Sequence, residues 1–148
     1  MVLERGPQLS YGACGFPYFI SGEVKSMDSF DHTPQGALRD SNYFAAVKGI
    51  DARCGWNVQK IDRVQKCVHY MEKGELKQLS YDVLVLATGS TPVKLPLPNA
   101  DAAGIHSFWF PWDVAAVDKE IAEGNVKDVV IIGAGFIGLE LAEAFVHR

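Results

Sequence analysis

The stretch that decides the fold runs from residue 129 to residue 145 and reads VVIIGAGFIGLELAEAF. It opens with four β-branched residues, 129–132, a pattern that predicts a fully buried parallel strand. The three glycines that follow, with the spacing G-x-G-x-x-G, are Gly133, Gly135 and Gly138. Residues 139–145 then favour a helix. A strand, a glycine turn and a helix in this order is the context that a dinucleotide fingerprint requires.

Each glycine of this turn has a separate task in the fingerprint. Gly133 permits the tight turn, Gly135 lets the backbone approach a pyrophosphate, and Gly138 lets the helix pack closely on the strand. The helix N-terminus then offers N–H groups and a partial positive charge to the phosphates. The alternative is a glycine-rich turn without a ligand. The acidic residue that holds the ribose is expected about 20 residues further on, beyond Arg148.

Charge and composition argue against three other features: a membrane span in the apolar run, a surface for nucleic acid or anionic membranes, and a signal peptide. Glu140 and Glu143 on the helix, after three glycines, argue against a membrane span. The net charge of −4 over 148 residues provides no basic footprint for nucleic acid or for an anionic membrane. The first residues, MVLER, reach charged side chains at once, which predicts that no signal peptide is present.

The three cysteines favour a reducing compartment. Cys14, Cys54 and Cys67 are an odd, sparse set without the spacing of a metal site. We therefore expect free thiols in the cytoplasm and no disulfide framework. Cys54 and Cys67 lie at or next to predicted strands, and packing is the expected role of both.

Cys14 lies in the most reactive-looking stretch, residues 10–22, which reads SYGACGFPYFISG. It stands among small residues at the opening of a predicted helical turn. A helix N-terminus favours the thiolate, which is the reactive form of cysteine. The small neighbours would let something planar and large approach the sulfur. A buried structural cysteine is the alternative, and the residues alone do not decide between the two.

The remaining pattern predicts an alternation of helices and strands. Residues 34–47 are expected to be a helix with Thr33 as its N-cap and Pro34 at its first position. Residues 75–80 alternate apolar and polar side chains like residues 67–72, and the turn Lys73-Gly74 predicts a hairpin. The other predicted elements are strands at 1–4, 50–53, 58–63 and 83–86, a proline-rich linker at 90–98, and a helix at 113–123.

Two further kinds of residue carry weaker signals. Glu4 ends the first strand, where an acid in a Rossmann-like unit holds the ribose of a nucleotide, although a solvated surface Glu is favoured from this residue alone. His69 in the hairpin is expected to be structural. His32, His106 and His147 have no carboxylate or cysteine spaced to suggest a metal site or a catalytic dyad.

Three motifs together make the chain resemble the FAD-dependent pyridine nucleotide–disulfide oxidoreductases. Residues 10–18, SYGACGFPY, match the redox-cysteine motif S-F/Y-x-x-C-G-x-P-Y. Residues 81–92, YDVLVLATGSTP, match the strand and turn that close over FAD, and residues 133–140, GAGFIGLE, match the NAD(P) fingerprint. Within this family the chain is most similar to the single-cysteine branch, which contains coenzyme A disulfide reductases, NADH oxidases and peroxidases, and polysulfide or persulfide reductases.

The resemblance implies a role for each matching position. Cys14 would be the redox-active sulfur beside the flavin, passing through a mixed disulfide, a sulfenic acid or a persulfide according to the substrate. Hydride would pass from NAD(P)H to FAD and then to Cys14. The residues implied at the FAD site are Glu4 on the ribose, Ser10 near the flavin or the cysteine, Val58 on the adenine, and Ala87, Thr88 and Gly89 along the cofactor. Those implied at the NAD(P)H site are Gly133, Gly135, Phe136, Ile137, Gly138 and Glu140.

The resemblance also implies the fold class and domain order. We expect an α/β protein: a partial FAD/NAD(P)-binding Rossmann-like two-domain fold with a three-stranded β-meander insertion. Residues 1–107 would form a partial FAD-binding domain without its first βα unit, and residues 108–148 would begin a truncated NAD(P)-binding domain. The chain is thus expected to be an internal fragment of a longer enzyme, itself a homodimer, or a truncated gene product.

The substrate stays open at this point. The residue before the cysteine is Ala13, where coenzyme A disulfide reductases often have Asn, and this weakens coenzyme A disulfide as the substrate. A disulfide, a polysulfide, a persulfide, peroxide or oxygen are all candidates. A non-catalytic remnant that serves at most as an interaction or weak nucleotide-binding module is the alternative of another class.

Overall fold

The structure is a computed structural model that describes residues 1–124 and 126–148. Its contacts divide these residues into two compact units. The first unit contains residues 1–11 and 31–88, and the second contains residues 12–30 and 89–148. The predicted domain division after residue 107 stays a prediction.

The first unit holds two small sheets and one helix. Strand β1 (Val2–Glu4) pairs in parallel with β2 (Ala52–Cys54) in the register Val2↔Ala52 and Glu4↔Cys54. Strands β3 (Asn57–Asp62), β4 (Cys67–Glu72) and β5 (Glu75–Ser80) form an antiparallel sheet in the order β3-β4-β5. The expected three-stranded meander is therefore confirmed.

The turn between β4 and β5 has the conformation that a tight hairpin requires. Lys73 and Gly74 have φ angles of 51° and 87°. Positive φ at both central residues matches the right-handed twist of the flanking strands. The Lys73-Gly74 hairpin that the sequence predicts is thus formed.

Strand β4 is the most buried strand of the meander. Cys67, Val68 and Tyr70 are buried. The ring of Trp56 stacks on that of Tyr70, with centroids 4.5 Å apart and an angle of 9° between the planes. The Arg53 guanidinium lies 5.7 Å from the centre of the Trp56 ring. This stack joins the segment after β2 to the middle of β4.

The helix predicted at residues 34–47 is shorter than expected. Helix α2 spans Ser41–Lys48, and its N-cap is Asp40, whose Oδ1 accepts a hydrogen bond of 2.8 Å from the Tyr43 N–H. Thr33 was therefore wrong as the N-cap. Its carbonyl and hydroxyl oxygens instead accept hydrogen bonds from Gly36 and Ala37 and close a local turn.

The described residues of the second unit form three α-helices and two 3₁₀ turns, at Ala13–Gly15 and Met27–Phe30. The α-helices carry its packing. These are α1 (Phe16–Ile20), α3 (Pro111–Ala122) and α4 (Phe136–His147), and α1 packs against both of the others. Ile20 and Val114 are fully buried at this packing. Arg148 ties the three helices together, because its guanidinium donates to the Ile20 carbonyl at 3.0 Å and pairs with Asp118 at 2.9 Å.

Two predicted strands are absent from the part of the chain that the structure describes. Residues 83–86 and 129–132 have irregular backbone, and Val83 and Val130 are 83% and 86% exposed. The prediction of fully buried strands was wrong there, and the strand predicted at residues 50–53 lies at Ala52–Cys54 instead. A parallel strand needs a neighbour for its N–H and C=O groups, and both sheets of the described residues are formed by other segments.

The helices are also short in relation to a bilayer. The longest, α3 and α4, have 12 residues each. Within the described ranges, none has both the length and the hydropathy that crossing a membrane would require.

The Asp40 cap provides a test of the corrected helix start. Replacing Asp40 by Ala should lower the free energy of unfolding by about 1 kcal/mol, because the Tyr43 N–H loses its acceptor at the helix N-terminus. Asp40→Asn keeps an acceptor oxygen at the same position and serves as the matched control. Urea denaturation of both variants measures the effect. Equal stability of Asp40→Ala and Asp40→Asn would contradict the cap.

Candidate functional site

Cys14 is presented at the surface by a short helical turn. A 3₁₀ turn spans Ala13–Gly15 and continues directly into α1, with Pro17 in the first turn of that helix. Cys14 is exposed, whereas the next residue in the chain after the turn, Phe16, is 2% exposed. The alternative of a buried structural cysteine is therefore excluded for Cys14.

The fingerprint glycines form a close turn before α4. Gly133 has φ of 119°, a value that side-chain-bearing residues rarely adopt. A Cβ at Gly138 would overlap the Gly133 carbonyl oxygen and lie 3.1 Å from its carbon. The helix therefore approaches the Gly133 carbonyl so closely that only glycine fits at position 138, whereas the strand against which the fingerprint expects this packing is not formed at residues 129–132.

Gly135 lies in open space at the start of the same helix. It is the N-cap of α4, and a Cβ added there would meet no described atom within 4 Å. The first-turn N–H groups of α4 follow it. An open backbone position directly before a helix N-terminus fits the pyrophosphate of a dinucleotide. Phe136, Ile137 and Glu140, also predicted for this site, are exposed residues in the first two turns of the same helix.

In the first unit, Glu4 stands at the edge where ligands of α/β sheets bind. Strands β1 and β2 are parallel, so the carboxyl ends of both strands lie at one edge, with Glu4 opposite Cys54. Glu4 Oε1 accepts a 2.6 Å hydrogen bond from the Gly6 N–H, and its carbonyl accepts one of 3.0 Å from the Trp56 N–H. These contacts fix the backbone of Glu4 next to the start of β3.

Val58 follows Trp56 by two residues and lies at an irregularity in β3. It pairs with Tyr70, and the register then shifts between Val58 and Lys60. Bulges of this kind re-aim the backbone and are frequent beside binding sites. The structure thus brings the region of Val58 close to Glu4 through the Glu4–Trp56 hydrogen bond.

Three of the other positions predicted for the FAD site lie in the first unit, and one lies in the second. Ser10 is half-buried, and Ala87 and Thr88 are exposed at the end of the first unit. Gly89 has φ of 63° and begins the continuous part of the second unit. Their roles at a cofactor stay predictions.

The thiol of Cys54 has an environment that disfavours its charged form. Partial burial raises the pKa of Cys54, and the negative charge of Glu4 raises it further. Both causes favour the neutral thiol over the nucleophilic thiolate. Cys67 is buried in β4, with its sulfur 3.8 Å from His69 Nε2. Cys14 is therefore the exposed cysteine of this chain.

Among the described residues, two histidines lie within ion-pair distance of a carboxylate, and the sequence did not predict either contact. His32 Nδ1 lies 2.6 Å from Asp31 Oδ1, while Asp31 Oδ2 accepts a hydrogen bond of 3.1 Å from the Gln8 side chain. His106 Nε2 lies 3.0 Å from Glu120 Oε1. The sequence suggested no metal site or catalytic dyad at these histidines, which stays a prediction, and the two contacts themselves were not predicted. Asp31 directly precedes His32 in the sequence and could have been noticed, whereas Glu120 is brought to His106 by the packing of α3.

The comparisons with known proteins cover the chain from end to end. A family model described as pyridine nucleotide-disulphide oxidoreductase matches residues 1–148. A CoA-dependent NAD(P)H sulfur oxidoreductase of Pyrococcus furiosus is 32% identical over 99% of this chain and 31% of its own length. An NADH oxidase of Lactococcus lactis is 33% identical over 100% of this chain and 32% of its own length. The chain thus spans about a third of these relatives.

The solved structures show the same similarity. An NAD-dependent persulfide reductase from A. fulgidus matches with a TM-score of 0.92 and 38% identity, over 99% of this chain and 27% of that one. The CoADR-RHD protein of Bacillus anthracis matches with a TM-score of 0.84 and 26% identity, over 99% and 26%.

The close approach at Gly138 leads to a first prediction for the site. In an open helix Gly138→Ala would add roughly 0.5–1 kcal/mol of stability. Here the new methyl group would overlap the Gly133 carbonyl, so we expect a loss of about 1–3 kcal/mol instead. Thermal or urea unfolding measures the difference.

Gly135→Ala is the matched control for this substitution. Gly135 has φ of −79° and open space around it, so the free energy of unfolding of the Gly135→Ala variant should stay close to that of the unmodified chain. A stabilised Gly138→Ala variant would contradict the packing described for this turn.

The pairing of Glu4 with Cys54 leads to a second prediction. Glu4→Gln removes the charge that helps to raise the pKa of Cys54 and keeps an acceptor for the Gly6 N–H. The thiolate fraction of Cys54 at pH 8 should then increase, and its alkylation by iodoacetamide should become faster. Mass spectrometry of digested peptides follows Cys54 separately, with Cys14 as the internal control. An unchanged Cys54 rate would show that the Glu4 charge does not act on this thiol.

Proposed function

The chain belongs to the pyridine nucleotide-disulphide oxidoreductase family, and from this membership we propose that it carries the redox cysteine and parts of both nucleotide sites of an NAD(P)H-dependent reductase. Members of the family are NAD(P)H-dependent flavoprotein oxidoreductases that use FAD. The observation that supports the proposal most strongly is the exposed thiol of Cys14 at the start of a helical turn. The proposed substrate is a disulfide, polysulfide or persulfide.

The residues of the two nucleotide sites fit the cofactors in their chemistry. Gly135 leaves room for a pyrophosphate before the N–H groups of α4, and Gly133 and Gly138 keep the turn compact. Glu4 stands at a carboxyl edge, where a carboxylate can accept hydrogen bonds from ribose hydroxyls. When bound, FAD supplies the two-electron relay between NAD(P)H and a thiol.

Cys14 would perform the chemistry on the substrate. Its thiolate attacks one sulfur of the substrate disulfide, a mixed disulfide with Cys14 forms, and the other sulfur leaves as a thiolate that takes up a proton. Two electrons that originate from NAD(P)H then reduce the mixed disulfide, which releases the second thiol and restores the Cys14 thiolate. The exposure of Cys14 gives the substrate sulfur access for the first step.

The alternative function is that of an NADH oxidase or peroxidase. The NADH oxidase of L. lactis is as similar to this chain as the sulfur oxidoreductase of P. furiosus. In that function peroxide, either the substrate itself or formed from oxygen by two electrons from NAD(P)H, would oxidise the Cys14 thiolate to a sulfenic acid with release of hydroxide, and two further electrons from NAD(P)H would restore the thiol with loss of water. A cytoplasmic location and a homodimeric parent enzyme stay predictions.

Reconstitution with FAD tests the proposal. We expect the purified chain to retain flavin absorption after incubation with FAD and removal of the excess, and NAD(P)H to bleach this absorption. In Cys14→Ser the bleaching by NAD(P)H should persist, while reoxidation of the flavin by a disulfide or polysulfide should be lost. Gly135→Ala provides the opposite control, because its added methyl group should weaken NAD(P)H binding and slow the bleaching.

Each half of this experiment can contradict one part of the proposal. A colourless protein would show that the chain forms no flavin site by itself, as a non-catalytic remnant would. A Cys14→Ser variant that still reoxidises with a disulfide would remove Cys14 from the reaction. The oxidase or peroxidase function would be favoured if peroxide or oxygen reoxidised the flavin faster than any sulfur compound did, and if Cys14→Ser abolished this reaction.

A further inference from the structure

Phe30 contacts the Cys14 turn on both sides of the cysteine. Its carbonyl oxygen accepts a hydrogen bond of 2.8 Å from the Gly12 N–H, two residues before Cys14. On the other side, a Cβ placed on Gly15 would overlap the Phe30 ring edge, lying 2.8 Å from Cδ1 and 3.3 Å from Cζ. One residue, distant by 16 positions in sequence, therefore holds the residues that flank the cysteine.

This contact explains why residue 15 is glycine. Gly15 has φ of −85° and ψ of −11°, a right-handed conformation that any residue can adopt. Backbone conformation therefore does not require glycine here. The Phe30 ring does, because it occupies the space that a side chain at position 15 would need.

The Phe30 ring is itself fixed by its neighbours. Phe30 is 7% exposed. Its ring meets that of Phe16 edge to face at 5.3 Å and 80°, and that of Phe19 at 6.3 Å and 83°. Edge-to-face contacts are one of the favoured arrangements of aromatic pairs. Phe30 thus forms the inner wall of the turn and is packed against two other rings.

We propose that Phe30 is a positioning residue for Cys14, which keeps the sulfur at the surface by filling the inside of the 12–15 turn. The inference rests on the proposed role of Cys14 as the redox thiol. A free cysteine behaves as a small apolar residue and prefers burial. Without the Phe30 ring against Gly15, the turn can relax and the Cys14 side chain can turn inward onto the apolar cluster, where its thiolate is disfavoured.

The alkylation rate of Cys14 in the full chain is the measurement that tests this role. Gly15→Ala forces the turn away from the ring, and Phe30→Leu removes the ring atoms Cε1 and Cζ. Each substitution should slow the reaction of Cys14 with iodoacetamide at pH 7 severalfold, because the turn no longer holds the sulfur in its exposed position. In the double variant the added methyl group occupies part of the space that the ring has left. Its Cys14 alkylation rate should therefore be higher than the rate expected if the two single reductions multiplied.

Phe108→Leu is the matched control. Phe108 also meets Phe16 edge to face, at 6.3 Å and 87°, and is half-buried. The same substitution there removes aromatic packing from the same cluster without touching Gly15. It should lower the melting temperature but leave the Cys14 rate unchanged. If Gly15→Ala does not fold, recovery of the folded circular dichroism spectrum in the Gly15→Ala/Phe30→Leu variant is the supporting result.

The outcomes separate this inference from the proposed function. The role of Phe30 would be overturned by any of three outcomes. The effects of Gly15→Ala and Phe30→Leu on the Cys14 rate could simply multiply, or the single variants could react like the unmodified chain. The third is a double variant that does not recover its folded spectrum or its Cys14 rate. A different outcome would separate the two proposals. If Cys14 in the unmodified chain reacts no faster than the thiol of a short peptide, but the two substitutions remain coupled, the role of Phe30 stands. The proposed role of Cys14 as the redox thiol is then weakened.

Discussion

A parallel strand requires a neighbour that takes up its N–H and C=O groups, and the rest of this structure depends on that requirement. Strand β1 meets it through β2. The meander β3-β4-β5 meets the corresponding antiparallel requirement within a single continuous segment. Residues 129–132 are as apolar as a central strand, yet they lie outside both sheets of the described chain and remain largely exposed. Hydrophobicity alone therefore does not form a strand when the hydrogen-bonding partner is missing.

Close packing against glycine recurs at the two functional turns. At Gly138 the obstacle to a side chain is the Gly133 carbonyl, and at Gly15 it is the Phe30 ring. Both glycines have right-handed helical or near-helical backbone. Their lack of a side chain is thus required by the tertiary contact and not by their own dihedral angles. In both places a glycine permits a close contact, of helix α4 with the Gly133 carbonyl and of the Phe30 ring with the Cys14 turn.

The three cysteines illustrate how the surroundings decide the reactivity of a thiol. Cys67 is buried in β4, and partial burial and the charge of Glu4 raise the pKa of the Cys54 thiol. Cys14 is exposed on a turn of small residues that an aromatic cluster supports from within. Of the three thiols, only that of Cys14 is exposed, so Cys14 is the candidate for the proposed redox role.

The sequence by itself determined the features that arise from local chemistry. The meander, the Lys73-Gly74 turn and helix α4 follow from alternation, turn residues and glycine spacing, all of which act within a few residues. Only the tertiary structure decided the remainder. It showed that Asp40 and not Thr33 caps α2, that residues 83–86 and 129–132 form no strand, that Glu120 reaches His106, and that Phe30 lies on Gly15. Each of these depends on which groups come together in space, and sequence spacing does not contain that information.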